Sequence, residues 1–371
     1  MFKFMKKAYF GVCFLLIALS VLTAADGGGF EVPGEDGAAP AGGVKNRDIP
    51  TKSDASKTES PSATAVLKKV SHRPTTDAIA AYANAKGLKL TKYGAGAVRL
   101  WLVGDGAIAE AESLISTSEQ VLQGLEQWTG KQSLFTPSDD DGHFHIVLFA
   151  SEGDYTGWID QMRSSGAMSA PEGEDLVKKL GGVPIPRGQV KVLGKVATLM
   201  RHYVTYAVCT AAVDVFFNER GGDSRTHSWL REGLAAEMQR LLCDGQVRCY
   251  TITYEDASIN LQQDWAKAMI DLMTKRDQAV RPASEIMMFS LIRMPAANYI
   301  QMWSLCTYVR LLGKNKKGPD NLFAKLLVAA ASGIASDSAV KAAFGSEDPK
   351  LSRAWREWAS SYKTDPKGLN R

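Results

Sequence analysis

The sequence predicts an α+β fold, in which a small N-terminal part containing strands is followed by a mostly helical C-terminal half. Two segments with the apolar pattern of strands, VRLWL at 98–102 and HFHIVLF at 143–149, lie in the first half of the chain. From residue 196 onward, apolar residues recur at helical spacing in one segment after another. Strands followed by a run of helices are typical of the α+β class.

The composition is that of an ordinary globular protein. Of the 371 residues, 45% are hydrophobic and 23% are charged, which is enough apolar material for a large core and excludes a wholly disordered chain. The formal net charge of +4 comes from 44 basic and 40 acidic residues. Whether this small excess matters depends on which residues remain in the mature protein.

Residues 1–25 have the three-part pattern of a secretory signal peptide. Three lysines precede an apolar stretch at 8–22, and small residues at 23–25 offer a cleavage site. The alternative is a single membrane anchor, but the uncharged run is short for a span of about 20 residues. We therefore expect an exported, periplasmic or secreted protein with no transmembrane span after cleavage. Cleavage lowers the net charge from +4 to +1 because three lysines leave, so nothing favours binding to nucleic acid.

Two further regions follow the leader. Residues 26–75 are rich in Gly, Ala, Pro, Ser and Thr and have few large apolar side chains, which predicts a disordered, low-complexity linker. Residues 76–365 are expected to form one domain. Its predicted helices begin with one from residue 108 that is closed by Gly130, and a loop is predicted at 166–188. The later helices are predicted at 196–217, 229–242, 261–273, 299–312, 322–331 and 351–362.

The cysteines permit two disulfides in the exported protein. Cys13 leaves with the leader, and four cysteines remain. Cys243 and Cys249 flank a turn signal and are candidates for a local bridge, which leaves Cys209 and Cys306 as a long-range pair. Four buried free thiols are the alternative.

One pair of motifs carries the functional argument. The string HYVTY at 202–206 lies in a predicted helix, where positions i and i+4 share a face. Zinc hydrolases of the H-E-x-x-H type use such a face for two histidine ligands and a general-base glutamate. Glu232 lies on the following predicted helix, from which a third ligand would come.

These motifs resemble the gluzincin, or peptidase MA-like, family of secreted zinc peptidases. Members typically read H-E-L-T-H, then W-L-N-E-G-L-A, then Y-x-Q-x-W at a later helix. This chain has HYVTY, then WLREGLA at 229–235, then YIQMW at 299–303, and its last segment looks like the closing helix of the family. The resemblance covers about residues 95–365. It implies a zincin-like helical half and a peptidase cleft.

The departures from the family pattern are the basis of the functional prediction. Tyr203 stands where the family has its general base, and Tyr206 stands where it has the second histidine. Only His202 and Glu232 keep ordinary ligand chemistry, whereas catalytic zinc needs three protein ligands. A phenol, with a pKa of about 10, is a poor base near neutrality. The four residues are therefore predicted to form a degenerate site with no catalytic residue, no metal and no cofactor.

The sequence offers two other candidate metal sites. In the first, His227, two residues before the WLREGLA motif, turns inward to complete a zinc site with His202 and Glu232. His143 and His145 are predicted to share one face of a strand. Half-exposed polar histidines are the ordinary alternative for this pair.

Three functions remain open on the sequence alone. The first is a non-catalytic binding or scaffolding module of the cell envelope, which would hold a peptide, a protein or a glycan in its cleft. The second is an active zinc metallopeptidase with unorthodox ligands, namely His202, Glu232 and either His227 or a tyrosine. The third is a structural envelope protein whose linker spans a layer of the cell surface.

Overall fold

The structure, a computed structural model, shows an α+β fold with a mostly helical C-terminal half. It describes residues 75–130, 135, 142–166, 190–193, 200–247, 264–274, 280–289, 296–313 and 321–362, all within one compact unit. The predicted signal peptide and all but the last residue of the predicted linker lie outside these residues.

The described elements follow in chain order. They are α1 (Thr76–Ala85), β1 (Leu90–Tyr93), β2 (Val98–Val103), α2 (Ala111–Thr129), β3 (Phe144–Phe149), α3 (Glu152–Ser164), β4 (Val190–Leu193), α4 (Met200–Asn218), a 3-10 helix (Ser224–His227), α5 (Ser228–Leu242), α6 (Trp265–Thr274), α7 (Ala283–Met287), α8 (Ala296–Gly313), α9 (Leu322–Ala331), α10 (Ser336–Phe344) and α11 (Asp348–Ser360).

The strands form one sheet in the order β1-β2-β3-β4. β1 pairs with β2 antiparallel, whereas β2, β3 and β4 run parallel, which requires crossover connections. Alternate residues of β2 face opposite ways: Leu100 belongs to the main core, whereas Trp101 belongs to a second cluster with residues of α1 and α3. The central strands are therefore buried on both faces, as the uninterrupted burial of β3 also shows.

The main core continues from the sheet into the helical half. It joins residues of α2 and α4 to those of α5, α8, α9 and α11. Helix α5 lies at the centre, because it packs against both α4 and α8. At its contact with α8, Gly233 lets the two backbones approach closely, since a Cβ added there would lie 2.4 Å from the Cβ of Cys306.

Most predicted elements are present with small shifts of their ends. Helix α2 ends before Gly130, which adopts a left-handed φ of 65° as a C-terminal cap. Helix α4 is described from Met200, four residues after the predicted start at 196, and the predicted loop at 166–188 lies almost entirely outside the described residues. Helices α1, α3, α7 and α10 and strands β1 and β4 were not predicted from the sequence.

Candidate functional site

The two motif helices bring Tyr206 and Glu232 into direct contact. Tyr206 lies on α4 and Glu232 on the first turns of α5, and both side chains are buried. The phenol oxygen of Tyr206 lies 3.0 and 2.9 Å from the two carboxylate oxygens, so its O–H donates to Glu232. The two motif helices thus pack against each other through these side chains.

Two further side chains reach the same carboxylate. The hydroxyl of Tyr299, at the start of α8, donates to Glu232, and so does the guanidinium of the neighbouring Arg231. All three donors are at most 5% exposed. Tyr299 was noticed in the sequence only as part of the YIQMW match, and Arg231 was not singled out as a site residue.

Arg231 connects this carboxylate to a second one. Its Nε donates to Oδ1 of Asp214 on α4 at 2.8 Å, and Ser224 donates to the same oxygen at 2.5 Å. Burial by itself lowers the pKa of Arg231, but the charges of Asp214 and Glu232 outweigh it and raise the pKa well above its ordinary value. The guanidinium is therefore a permanent cation held between two buried carboxylates.

The other two predicted site residues, His202 and Tyr203, have different surroundings. Tyr203 is half-buried and packs against the main core. His202 lies in the first turn of α4, is 9% exposed and lines a groove of about 540 Å³. The groove also includes Leu102 and Leu148 from the carboxyl ends of β2 and β3, and the loop at 105–110.

This arrangement does not fit a zinc ion bound in the gluzincin manner. Such an ion needs lone pairs from three protein ligands, but the Glu232 carboxylate accepts hydrogen bonds from two tyrosines and a guanidinium. The oxygen of Tyr206 is a donor here, and a guanidinium has no lone pair to offer. Across the described ranges, no group of three His, Cys, Asp or Glu side chains is placed to hold a metal ion.

His227 is turned towards α10. Its Nδ1 lies 2.7 Å from the hydroxyl of Ser336, which also accepts from the indole of Trp229 at 3.0 Å. Its ring packs against Phe217, and burial lowers its pKa below the ordinary 6.5, with Asp223 opposing the shift. These contacts anchor the 3-10 helix to α10.

The predicted histidine pair does lie on one side of its strand, with His143 just before β3 and His145 within it. The rings of His143 and His145 lie 6.4 Å apart, centroid to centroid. Trp101 donates to Nδ1 of His145 at 3.0 Å, and the guanidinium of Arg99 lies 2.7 Å from Nε2 of His143. One nitrogen of each ring is therefore engaged by a neighbouring strand, and His145 is buried rather than half-exposed.

A second buried charge cluster on α5 was missed by the sequence analysis. Glu237 accepts from Arg240 at 2.9 and 3.1 Å, from Arg310 of α8 at 2.9 Å and from the indole of Trp303 at 2.9 Å. Burial raises the pKa of Glu237, but the two arginines and the indole outweigh it and lower the pKa below its ordinary value. Charged residues inside an otherwise apolar helix were the signal that could have revealed both clusters.

The candidate disulfides are not formed in this structure. Cys209, Cys243 and Cys306 are buried free thiols, and Cys249 lies outside the described residues. Cys243 lies 3.7 Å from the hydroxyl of Thr205, and its pKa is raised by burial to about 11. The alternative of buried thiols therefore applies to the three described cysteines.

No known protein-family model matches the chain, and no curated protein matches its sequence. Within the described residues, none of the helices combines the length and the apolar character needed to cross a membrane. The function therefore has to be argued from the residues and their geometry.

Proposed function

We propose that the chain is an exported, peptidase-like protein with a degenerate zinc site, which acts as a non-catalytic binding or scaffolding module in the cell envelope. The observation that carries the proposal is the hydrogen bond from Tyr206 to Glu232. These residues stand at two of the three ligand positions of the gluzincin motifs, and here they bind each other. The proposed export rests on the signal-peptide pattern of residues 1–25.

The chemistry of the site argues against hydrolysis by the gluzincin mechanism. Tyr203 stands at the general-base position, and a phenol with a pKa of about 10 is a poor base at neutral pH. Tyr206 donates a hydrogen bond to Glu232, so neither residue is available as a ligand without breaking the contact. The ligands and the general base act together in such a mechanism. The loss of one ligand and of the base therefore leaves very little of the activity.

The groove beside His202 supports the binding role. Its walls include three buried leucines from β2, α2 and β3, and its polar residues include the exposed side chains of Asp105, Glu110 and Arg201. An apolar surface with a few polar groups is typical of ligand sites. A peptide, a segment of a partner protein or a glycan would find both kinds of contact there.

Metal analysis of the purified mature protein tests the proposal. We expect far less than one zinc ion per chain after dialysis against zinc-containing buffer, with the same result for His202→Ala. No cleavage of a peptide library is expected, with or without a chelator. Stoichiometric zinc that is lost on His202→Ala, together with chelator-sensitive cleavage, would instead support the metallopeptidase with unorthodox ligands.

A further inference from the structure

The guanidinium of Arg231 lies between two carboxylates that are almost completely buried. It donates to Glu232 on its own helix and to Asp214 on α4, and the two acids are 0% and 2% exposed. A buried carboxylate without a countercharge is very costly. A cation at this point is therefore required by the packing of α4 on α5, whatever its chemical nature.

The position of this arginine in the motif is informative. The chain reads WLREGLA, whereas the family that it resembles reads W-L-N-E-G-L-A. The residue next to the would-be zinc ligand thus changes from neutral to cationic, in a chain that has also lost the second histidine. Arg231 thus supplies a positive charge at the site, whereas Tyr206, in place of a histidine, removes a ligand that could hold a metal cation there.

We propose that Arg231 takes the place of the metal ion as the cation of this site, and that its charge keeps divalent metals away from Glu232. The inference rests on the proposed relationship to zinc peptidases. Arg231 neutralises the carboxylate from within the fold, and the hydroxyls of Tyr206 and Tyr299 occupy its remaining acceptor sites. The contact between α4 and α5 is then held together without a metal ion.

An ordinary buried ion pair would predict something different. If Arg231 only stabilised the packing of the helices, restoring the H-E-x-x-H motif at 202–206 would be enough to bind zinc. If the guanidinium repels the metal, the restored ligands will not bind until its charge is removed. Rebuilding the H-E-x-x-H motif in steps distinguishes these two roles of Arg231.

The experiment uses the mature protein and two rebuilt chains. The first carries Tyr203→Glu and Tyr206→His, which restores H-E-x-x-H, and the second adds Arg231→Asn. Zinc content, zinc titration and the visible spectrum of the cobalt-loaded protein report binding, and circular dichroism reports folding. We expect stoichiometric zinc in the second chain, and affinity lower by roughly 10- to 100-fold in the first.

The outcomes separate the role of Arg231 from the relationship to zinc peptidases. Equal affinity in both rebuilt chains would overturn the role of Arg231 and leave the relationship to zinc peptidases standing. Two folded chains that both fail to bind zinc would overturn the relationship and the inference together. If the Arg231→Asn chain does not fold, Arg231→Gln replaces it, because glutamine keeps hydrogen bonding without the charge. In a matched control, Arg231→Lys added to the first chain keeps the charge and should leave zinc binding weak.

Discussion

The phenol of Tyr206 and the carboxylate of Glu232 form a buried hydrogen bond between α4 and α5, with oxygen separations of 3.0 and 2.9 Å. The bond joins the two motifs that the sequence analysis singled out. It also links the sheet-side helix α4 to the central helix of the C-terminal half. What resembles a metal site in sequence is therefore a contact between helices in structure.

Removing the hydroxyl of Tyr206 should destabilise the fold. Tyr206→Phe leaves the Glu232 carboxylate with one buried donor fewer, and we expect a loss of about 1–3 kcal/mol in the free energy of unfolding. Tyr155→Phe is the matched control, because its buried hydroxyl has no hydrogen-bond partner among the residues that the structure describes. Urea denaturation should show the control unchanged or slightly more stable. Equal losses in both variants would mean that the Tyr206 hydroxyl contributes nothing specific.

Stability should fall with acid in a way that depends on His227. Burial lowers the pKa of His227 in the folded state below its ordinary 6.5, so the unfolded chain takes up a proton first as the pH falls. The neutral ring of His227 therefore makes its full contribution to the free energy of unfolding above about pH 6.5. This contribution falls as the pH decreases from there to the pKa of His227 in the folded state. His227→Gln lacks this titration.

The difference in unfolding free energy between the natural chain and His227→Gln, followed from pH 7.5 to 5, checks this prediction. It should shrink or reverse below about pH 6.5 and stay constant above it. A difference that does not change with pH would show that burial does not shift the pKa of His227.

A methyl group at Gly233 should separate α5 from α8. The added Cβ would lie 2.4 Å from the Cβ of Cys306 and 3.1 Å from the carbonyl oxygen of Met302, so we expect Gly233→Ala to cost about 1–3 kcal/mol. Gly153→Ala is the control, since Gly153 is at an exposed position of α3 and the nearest atom to an added Cβ would be 3.9 Å away. Thermal unfolding should show a lower midpoint for the first variant and no loss for the second. The opposite order would contradict the close packing of these helices.

The described cysteines should react as thiols once the protein is unfolded. We expect alkylation in denaturant without reductant to label Cys209, Cys243 and Cys306, and no labelling of these three in the native protein because burial raises their pKa values. Mass spectrometry of the digested protein reads the result. A cross-linked peptide joining Cys209 to Cys306 would restore the bridge that the sequence made a candidate.

The sequence predicted the elements that carry strong local patterns. The alternating residues at 98–102 predicted β2, and helical spacing predicted α5 to within one residue of its start. Helix α1 was missed although its buried residues Ile79, Tyr82 and Ala83 follow helical spacing, and although Thr75 caps it by accepting from the backbone of Ala78. Helix α3 could have been found, since Ser151 caps it by accepting from the backbone of Asp154.

The partners within the site could not be predicted in the same way. The motif spacing brought Tyr206 and Glu232 together, but which groups satisfy a buried carboxylate depends on the packing of distant helices. Tyr299 arrives from a helix that begins more than 60 residues after Glu232. The sequence alone does not determine whether the side chain of His227 turns towards His202 and Glu232 or away from them. Its contact with Ser336 of α10 depends on the tertiary fold.

The most direct test of the central claim is a crystal structure of the mature protein grown with zinc, with anomalous scattering recorded at the zinc absorption edge. We predict no anomalous peak beside Glu232, and a Tyr206 oxygen within hydrogen-bonding distance of that carboxylate. A peak within about 2.0–2.2 Å of Glu232 and of a His202 nitrogen would contradict it, because those are the distances of zinc ligands.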